Sequence, residues 1–169
     1  SWVSVEPAAR RKLNESGVVE ITLKPWSESA LQRWLDDAGV AVGDSAARKK
    51  ISRVTGNWHA PLHAFGEKCR PETYRWESHI DNLDRDIATN PEWMQRFGII
   101  AEARRDLKAM AEYGDSITAV ELASLLQDVD SSRCRLVLEW ADLMALVRPE
   151  PERGHSLDPL LKRVLQTQN

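Results

Sequence analysis

The sequence predicts a mainly helical protein, in which a small helical bundle precedes a helix-turn-helix followed by a short β-hairpin. Apolar residues recur at helical spacing through most of the chain, and Ser, Asp, Thr and Asn stand where those runs begin. Before the C-terminal segment, only residues 18–23 show the alternating β-branched pattern of a strand. Near the C-terminus, a turn rich in Pro and Gly separates two short stretches of strand character.

Composition limits the classes of protein and partner. The 169 residues are 42% hydrophobic, enough for one sizeable core or two small ones, and the net charge of -3 gives no general attraction to nucleic acid. No apolar run approaches the ~20 residues that a membrane span requires, so no membrane partner is expected. Cys69 and Cys134 fall in different predicted domains, which fits a reducing cytoplasm. Because the chain opens on Ser1 without a Met, we interpret it as a fragment of a longer protein.

The first 25 residues contain two short elements. A helix is predicted over residues 7–13, with Pro7 in its first turn, and a strand over residues 18–23. A single strand needs a partner for its backbone hydrogen-bonding groups. We therefore interpret residues 1–25 as the remnant of a larger domain.

Residues 26–89 are predicted to form a helical bundle. Ser27 is the expected cap of its first helix, which Gly39 ends, and Asp44 or Ser45 begins a basic second helix. A turn at residues 55–58 separates this helix from an apolar third one. The last helix shows apolar residues at helical spacing, namely Trp76, Ile80, Leu83 and Ile87.

Residues 118–147 carry a helix-turn-helix pattern, after a helix predicted from Asn90-Pro91 to about Tyr113. Thr118 is the expected cap of the first helix of the pair, and Ser131 or Ser132 of the second. The second helix is expected to bury an apolar stripe anchored by Trp140, which consists of Leu136, Val137, Trp140, Leu143, Met144 and Val147. Two ordinary helices of a bundle would give the same periodicity, so that alternative stays open on the helices alone.

The order helix, helix, strand, turn, strand in residues 118–165 resembles a winged helix, of the kind that follows the lid in P-loop ATPases of the AAA+ and STAND types. Residues 18–65, with a strand, a helix, a basic helix, the Thr55-Gly56-Asn57-Trp58 turn and an apolar helix, resemble the lid of the same ATPases. The resemblance implies an ATPase-core remnant at 1–25, a lid-like helical domain at 26–89 and a winged-helix domain at 90–169. It also implies that a lid turn faces the nucleotide, and the residues of this turn are Thr55, Gly56, Asn57, Trp58 and Pro61.

Catalytic motifs are absent from the sequence. No GxxxxGK[ST] loop occurs, so the chain is not expected to be an enzyme or to hold a cofactor, and ATP and Mg²⁺ would belong to the parent protein. His59 and His63 stand four residues apart and Cys69 follows. A zinc site there would need a fourth ligand and a helix that tolerates Pro61, so we expect a pair of surface histidines and no metal.

Two functions from different classes remain. The first is a regulatory or interaction module, whose winged helix couples nucleotide state to the ATPase core or to another protein. The second is a module that binds double-stranded DNA, in a bacterial phage-defence or regulatory ATPase, through arginines at the second helix and the wing: Arg133, Arg135, Arg148 and Arg153. Residues 92–169 contain 10 Lys and Arg against 13 Asp and Glu, a net charge of 10 − 13 = −3. Phosphate binding requires a basic surface, so we favour the interaction module.

Overall fold

A computed structural model describes residues 24–40 and 42–167, except for the side chain of Thr73. These residues form nine α-helices, one short 3-10 helix and a two-stranded antiparallel sheet, which confirms the prediction of a mainly helical protein. The helix and strand predicted at residues 7–13 and 18–23 lie outside the described residues. Within the part of the chain described, no helix has the length and apolar character needed to cross a membrane.

The elements are numbered here in chain order. The helices are α1 (Glu28–Asp37), α2 (Ser45–Thr55), α3 (His59–Cys69), α4 (Trp76–Thr89), α5 (Glu92–Arg96), α6 (Ala101–Tyr113), α7 (Ala119–Leu126), α8 (Ser131–Leu143) and α9 (Pro159–Thr167). The strands are β1 (Val147–Glu150) and β2 (Gly154–Leu157), and the 3-10 helix is Thr73–Arg75.

The described residues group into two compact units. One consists of residues 24–100 and 159–167, and therefore of α1 to α5 with α9. The other consists of residues 101–158, with α6 to α8 and both strands. The three domains predicted from the sequence, at 1–25, 26–89 and 90–169, stay a prediction. The compact units group α9 with α1 to α5.

The unit of α1 to α5 and α9 is built around α4, which packs against α2, α3 and α9. Arg163 of α9 donates to the carbonyl of Val54 at 3.2 Å and pairs with Asp84 at 2.8 Å, so one side chain ties α9 to α2 and α4. The core contains fully buried side chains from all these helices, including Leu35, Ile51, Leu62, Phe65, Ile80, Ile87, Leu161 and Val164. Apolar burial of this kind stabilises a helical unit more than the intrinsic helix propensity of its residues does.

The start signals of this unit act as predicted. The side chain of Ser27 accepts a hydrogen bond from the Ala30 amide at 3.2 Å, and that of Asp44 accepts one from the Ala47 amide at 2.7 Å. Each cap satisfies an amide that the first turn of a helix leaves without an intrahelical partner. Of the two cap candidates for α2, the structure therefore selects Asp44.

The single helix predicted from residue 92 to 113 is wrong, because the chain forms α5 and α6 with a break between them. Gly98 lies in the break with φ +75°, a left-handed conformation that ends helices. Phe97 and Ile99 on either side of it are both buried. Residues two apart point to different faces of a continuous helix, so the break allows both to enter the core.

Candidate interaction site

The unit of residues 101–158 places α7 and α8 as a capped helix pair. The hydroxyl of Thr118 accepts from the Glu121 amide at 3.3 Å, and the Glu121 carboxylate accepts from the Thr118 amide at 2.8 Å, which forms a capping box. The hydrogen bonds that the Glu121 carboxylate accepts from the amide and the hydroxyl of Thr118 lower its pKa. Asp130 caps α8 by accepting from the Arg133 amide at 2.8 Å. The prediction of Ser131 or Ser132 as this cap is wrong, because Asp130 already provides the acceptor one residue earlier.

The buried face of α8 differs from the predicted stripe. Its buried residues are Cys134, Leu138 and Ala141, whose spacing of four and three places them on one helical face. Leu136 is 49% exposed, and Trp140 is only half-buried. Apolar residues cover most of the circumference of α8, so periodicity alone could not identify which face packs against α7.

The exposed face of α8 is mixed in character. Arg135, Leu136 and Glu139 are all exposed and lie along one side of the helix. The neighbouring helix α7 exposes Val120 (65%) and Leu125 (46%). The helix pair therefore presents both apolar and charged side chains to the surface.

Arg133, also exposed, differs from these residues because it contacts a buried carboxylate. Its guanidinium lies 3.5 Å from Asp106 of α6, whose side chain is fully buried, and 3.4 Å from the carbonyl of Glu102. Neither carboxylate oxygen of Asp106 has a hydrogen-bond partner within the described part of the chain. Burial raises the pKa of Asp106, while Arg133 and Arg105 oppose that rise. Burial also raises the pKa of the neighbouring Cys134 thiol, and the charge of Asp106 adds to this effect.

A second ion pair ties α6 to the turn between α7 and α8. Arg105 donates to both oxygens of Asp128, at 3.0 and 2.6 Å, and to the carbonyl of Leu126 at 3.1 Å. This two-pronged hydrogen bond lowers the pKa of Asp128 and raises that of Arg105. The carbonyl at the end of α7 thus gains a partner that the helix itself does not provide.

The hairpin follows α8 and is joined to the segment before α7. Strand β1 pairs with β2 in antiparallel register, with Val147 opposite Leu157 at one end and Glu150 opposite Gly154 at the other. Ile117 forms a β-bridge with His155, each amide donating to the other's carbonyl at 2.9 Å. Gly154 has φ +93°, and a Cβ added there would lie 2.3 Å from the Ile117 carbonyl oxygen. This position therefore requires glycine.

The two arginines of the hairpin have different environments. Arg148 on β1 pairs with Asp158 at 2.9 Å, and the Asp158 side chain is buried. Arg153 lies in the exposed turn between the strands, where its amide donates to the Glu150 carbonyl at 3.1 Å. Its guanidinium, like that of Arg135, forms no ion pair with any residue that the structure describes.

The four predicted DNA-contacting arginines are thus divided in two. All four are exposed, but Arg133 and Arg148 pair with buried aspartates, whereas Arg135 on α8 and Arg153 in the hairpin turn have no ion-pair partner among the described residues. Sequence reasoning missed both aspartates. One signal was available for Asp106, because it stands between Ala103 and Met110 at core spacing on α6.

The predicted lid turn is held by its own backbone and by α9. The hydroxyl of Thr55 donates to the Ile51 carbonyl at 2.8 Å and accepts from the Asn57 amide at 3.2 Å. Gly56 has φ +57°, and a Cβ added there would lie 2.9 Å from the Cβ of Leu160. The turn is therefore covered by its own unit on the Gly56 side.

Two polar atoms of this turn are buried. The Asn57 Oδ1 and the Trp58 Nε1 have no hydrogen-bond partner among residues 24–40 and 42–167. The Trp58 ring meets Phe97 edge-on at 5.9 Å between centroids, and Pro61 is buried in the first turn of α3. The expectation that Thr55, Gly56, Asn57, Trp58 and Pro61 face a nucleotide stays a prediction.

The residues considered for zinc do not gather into a metal cluster. His59 and His63 are exposed on α3, whereas Cys69 is buried at its end. Burial raises the pKa of Cys69 to about 11, which favours the thiol over the metal-binding thiolate. The residues described contain no group of three or more His, Cys, Asp and Glu side chains placed to hold a metal ion.

Comparison of the chain with protein-family models, curated proteins and solved structures found no significant match.

Proposed function

We propose that residues 101–158 form a winged-helix interaction module that docks on protein. The order of elements supports this proposal: α6, the Ile117 bridge, α7, α8 and then the β1–β2 hairpin follow one another as in a winged helix. In that arrangement α8 is the second helix of the helix-turn-helix, and residues 151–153 are the wing turn.

The preference for a protein partner rests on one observation: two of the four arginines are paired with buried aspartates. A DNA-binding helix needs cations that are available to phosphates or base edges. Arg133 and Arg148 are engaged by Asp106 and Asp158, and the acidic Glu139 is exposed on the same side of α8 as Arg135. These contacts reduce the basic surface that duplex binding requires.

The apolar residues on the helix pair favour a protein partner. Leu136, Val120 and Leu125 are exposed, and apolar side chains surrounded by a polar rim are typical of protein interfaces. Arginine is among the residue types that contribute most to binding free energy at protein interfaces, and Arg135 is available for such a contact.

The wider role that we propose rests on the resemblance to lid and winged-helix segments. In this proposal the chain is the non-catalytic C-terminal part of a larger cytoplasmic P-loop ATPase, whose winged helix couples nucleotide state to the ATPase core or to another protein. ATP and Mg²⁺ would be bound by the parent protein, because the sequence has no phosphate-binding loop.

Titration of a fluorescent random duplex at 50 and 200 mM salt tests the alternative of DNA binding. We expect weak or absent binding, with no change in the variant that combines Arg135→Ala with Arg153→Ala. Phosphate contacts make affinity fall steeply with salt. Tight binding that falls with salt and is lost in this variant would establish the DNA-binding alternative and refute the proposal.

A photocrosslinker tests the docking face directly in the cell. A benzoylphenylalanine placed at position 136 should crosslink to protein, with a yield that depends on whether ATP or ADP is bound by the parent ATPase. The matched control carries the same group at position 112, which is exposed on α6. Equal crosslinking at the two positions, or crosslinking to nucleic acid at 136, would contradict the proposal.

A further inference from the structure

Two histidines on the exposed side of α3 remain outside the proposed function. His59 and His63 are both exposed, and their ring centroids lie 5.9 Å apart with an interplanar angle of 31°. Residues four apart share one face of an α-helix, so the helix itself brings the two rings together. Pro61 does not disturb this spacing, because it is the third residue of α3 and the first turn tolerates proline.

We propose that His59 and His63 form a two-ligand site for a divalent transition-metal ion. Metal–imidazole bonds are about 2.0–2.1 Å long, so two rings on one ion keep their centroids within roughly 6.4 Å of each other. The observed 5.9 Å lies inside that limit. Neutral imidazole suits Cu²⁺, Ni²⁺ and Zn²⁺, and affinity is expected to be highest for Cu²⁺.

The surroundings define what kind of metal site this is. No third His, Cys, Asp or Glu joins the pair to form a metal-binding group in the described residues, so the ion keeps open positions for water or for a ligand from another molecule. The site is therefore one for an exchangeable ion, unlike the closed four-ligand zinc site that structural zinc requires.

A nearby aromatic cluster gives an optical readout of binding. The Trp26 ring lies 6.5 Å from the His59 ring and meets Trp34 edge-on at 5.9 Å, measured between centroids. A Cu²⁺ or Ni²⁺ ion on the pair would lie close to Trp26 and should quench its fluorescence.

Calorimetric and fluorescence titrations of the whole chain with CuCl₂ and NiCl₂ test the proposal. We expect one ion per chain, bound more tightly for Cu²⁺ than for Ni²⁺, with quenching that saturates at the same ratio. His59→Ala and His63→Ala should each weaken the affinity at least tenfold, because the second imidazole is then no longer held beside the first. Circular dichroism and melting curves check that each variant is folded.

The matched control keeps the number of imidazoles and changes only their spacing. The variant that combines His63→Ala with Glu67→His places two histidines eight residues apart, about 12 Å along the helix axis, too far for one ion. Glu67 is exposed, so the fold should be retained. We expect this variant to bind no more tightly than His63→Ala. If the native chain binds Cu²⁺ no more tightly than the single variants, or no more tightly than the variant with histidines at positions 59 and 67, the proposal is overturned.

Discussion

At the scale of single residues, two buried aspartates decide which arginines of the 101–158 unit are available to a partner. Asp106 engages Arg133 and Asp158 engages Arg148. Both arginines are exposed, whereas both aspartates are buried, although residue type alone would assign an aspartate to the surface. The geometry at Asp106 is the less favourable of the two, because its ion pair is 3.5 Å long and its oxygens accept no hydrogen bond from the described residues. A buried charge held in this way costs folding free energy.

Asp106→Asn is therefore expected to stabilise the protein at neutral pH. The pKa of Asp106 is raised, so the folded chain holds this proton more tightly than the unfolded chain does. The stability that protonation of Asp106 contributes is fully present below the ordinary aspartate pKa, and it is lost as the pH rises through the raised pKa of the folded chain. The substitution should raise the free energy of unfolding at pH 7, and by less as the pH approaches the ordinary range of aspartate.

Thermal melting of the Asp106→Asn variant at pH 7 and pH 4 measures this effect. The control is Glu112→Gln on the exposed side of the same helix, which should leave the melting temperature unchanged at pH 7. A lower melting temperature for Asp106→Asn at pH 7 would mean that the charged pair with Arg133 stabilises the fold.

Arg133→Ala and Arg135→Ala should have different effects, although both residues lie near the start of α8. Removal of Arg133 leaves the buried Asp106 without its ion-pair partner and should cost about 1–3 kcal/mol, less than a fully buried pair because the arginine is half-exposed. Removal of the exposed Arg135 should change stability by less than about 0.5 kcal/mol. Urea denaturation distinguishes the two, and equal effects would contradict the assigned contact.

At the scale of elements, the orientation of α8 and the form of the hairpin are the features that a substitution can test. The structure buries Cys134, Leu138 and Ala141 and exposes Leu136. Leu138→Ala should therefore cost about 2–5 kcal/mol, while Leu136→Ala should cost less than about 1 kcal/mol. Trp140, half-buried, should fall between them. If denaturation midpoints show Leu136→Ala to be the most destabilising of these substitutions, the buried face of α8 is the one predicted from the sequence.

Gly154→Ala is expected to disrupt the junction between the hairpin and the Ile117 segment. Its positive φ is strained for alanine, and the added Cβ would lie 2.3 Å from the Ile117 carbonyl oxygen. A loss of more than about 3 kcal/mol follows from the strain and the clash together. The control is Gly43→Ala, where an added Cβ meets no atom within 4 Å. Similar melting temperatures for the two variants would show that the Ile117 bridge is dispensable.

At the scale of the whole molecule, the chain is expected to hydrolyse no ATP. Hydrolysis by a P-loop ATPase requires a loop that cradles the phosphates and a lysine that contacts them, and no such motif occurs in the sequence. Phosphate release by the purified chain should equal that of the buffer at millimolar ATP and Mg²⁺. Turnover that follows the protein through successive purification steps would contradict this prediction.

The sequence by itself determined the helical class of the described residues and where most helices begin. Ser27, Asp44 and Thr118 act locally, through a side chain that bonds an amide three residues away, so their role can be predicted from the residues alone. Helical spacing likewise identified the buried positions of α4, because its polar and apolar faces are distinct.

Only the tertiary structure decided the orientation of α8, the break at Gly98 and the partners of Arg133 and Arg148. Helix α8 is apolar on several faces, so the helices packed around it choose which face is buried. The ion pairs of the two arginines join residues 27 and 10 positions apart, a separation over which local patterns carry no information. The character of the candidate site depends on these long-range contacts, because they determine which of the exposed arginines already have an acidic partner.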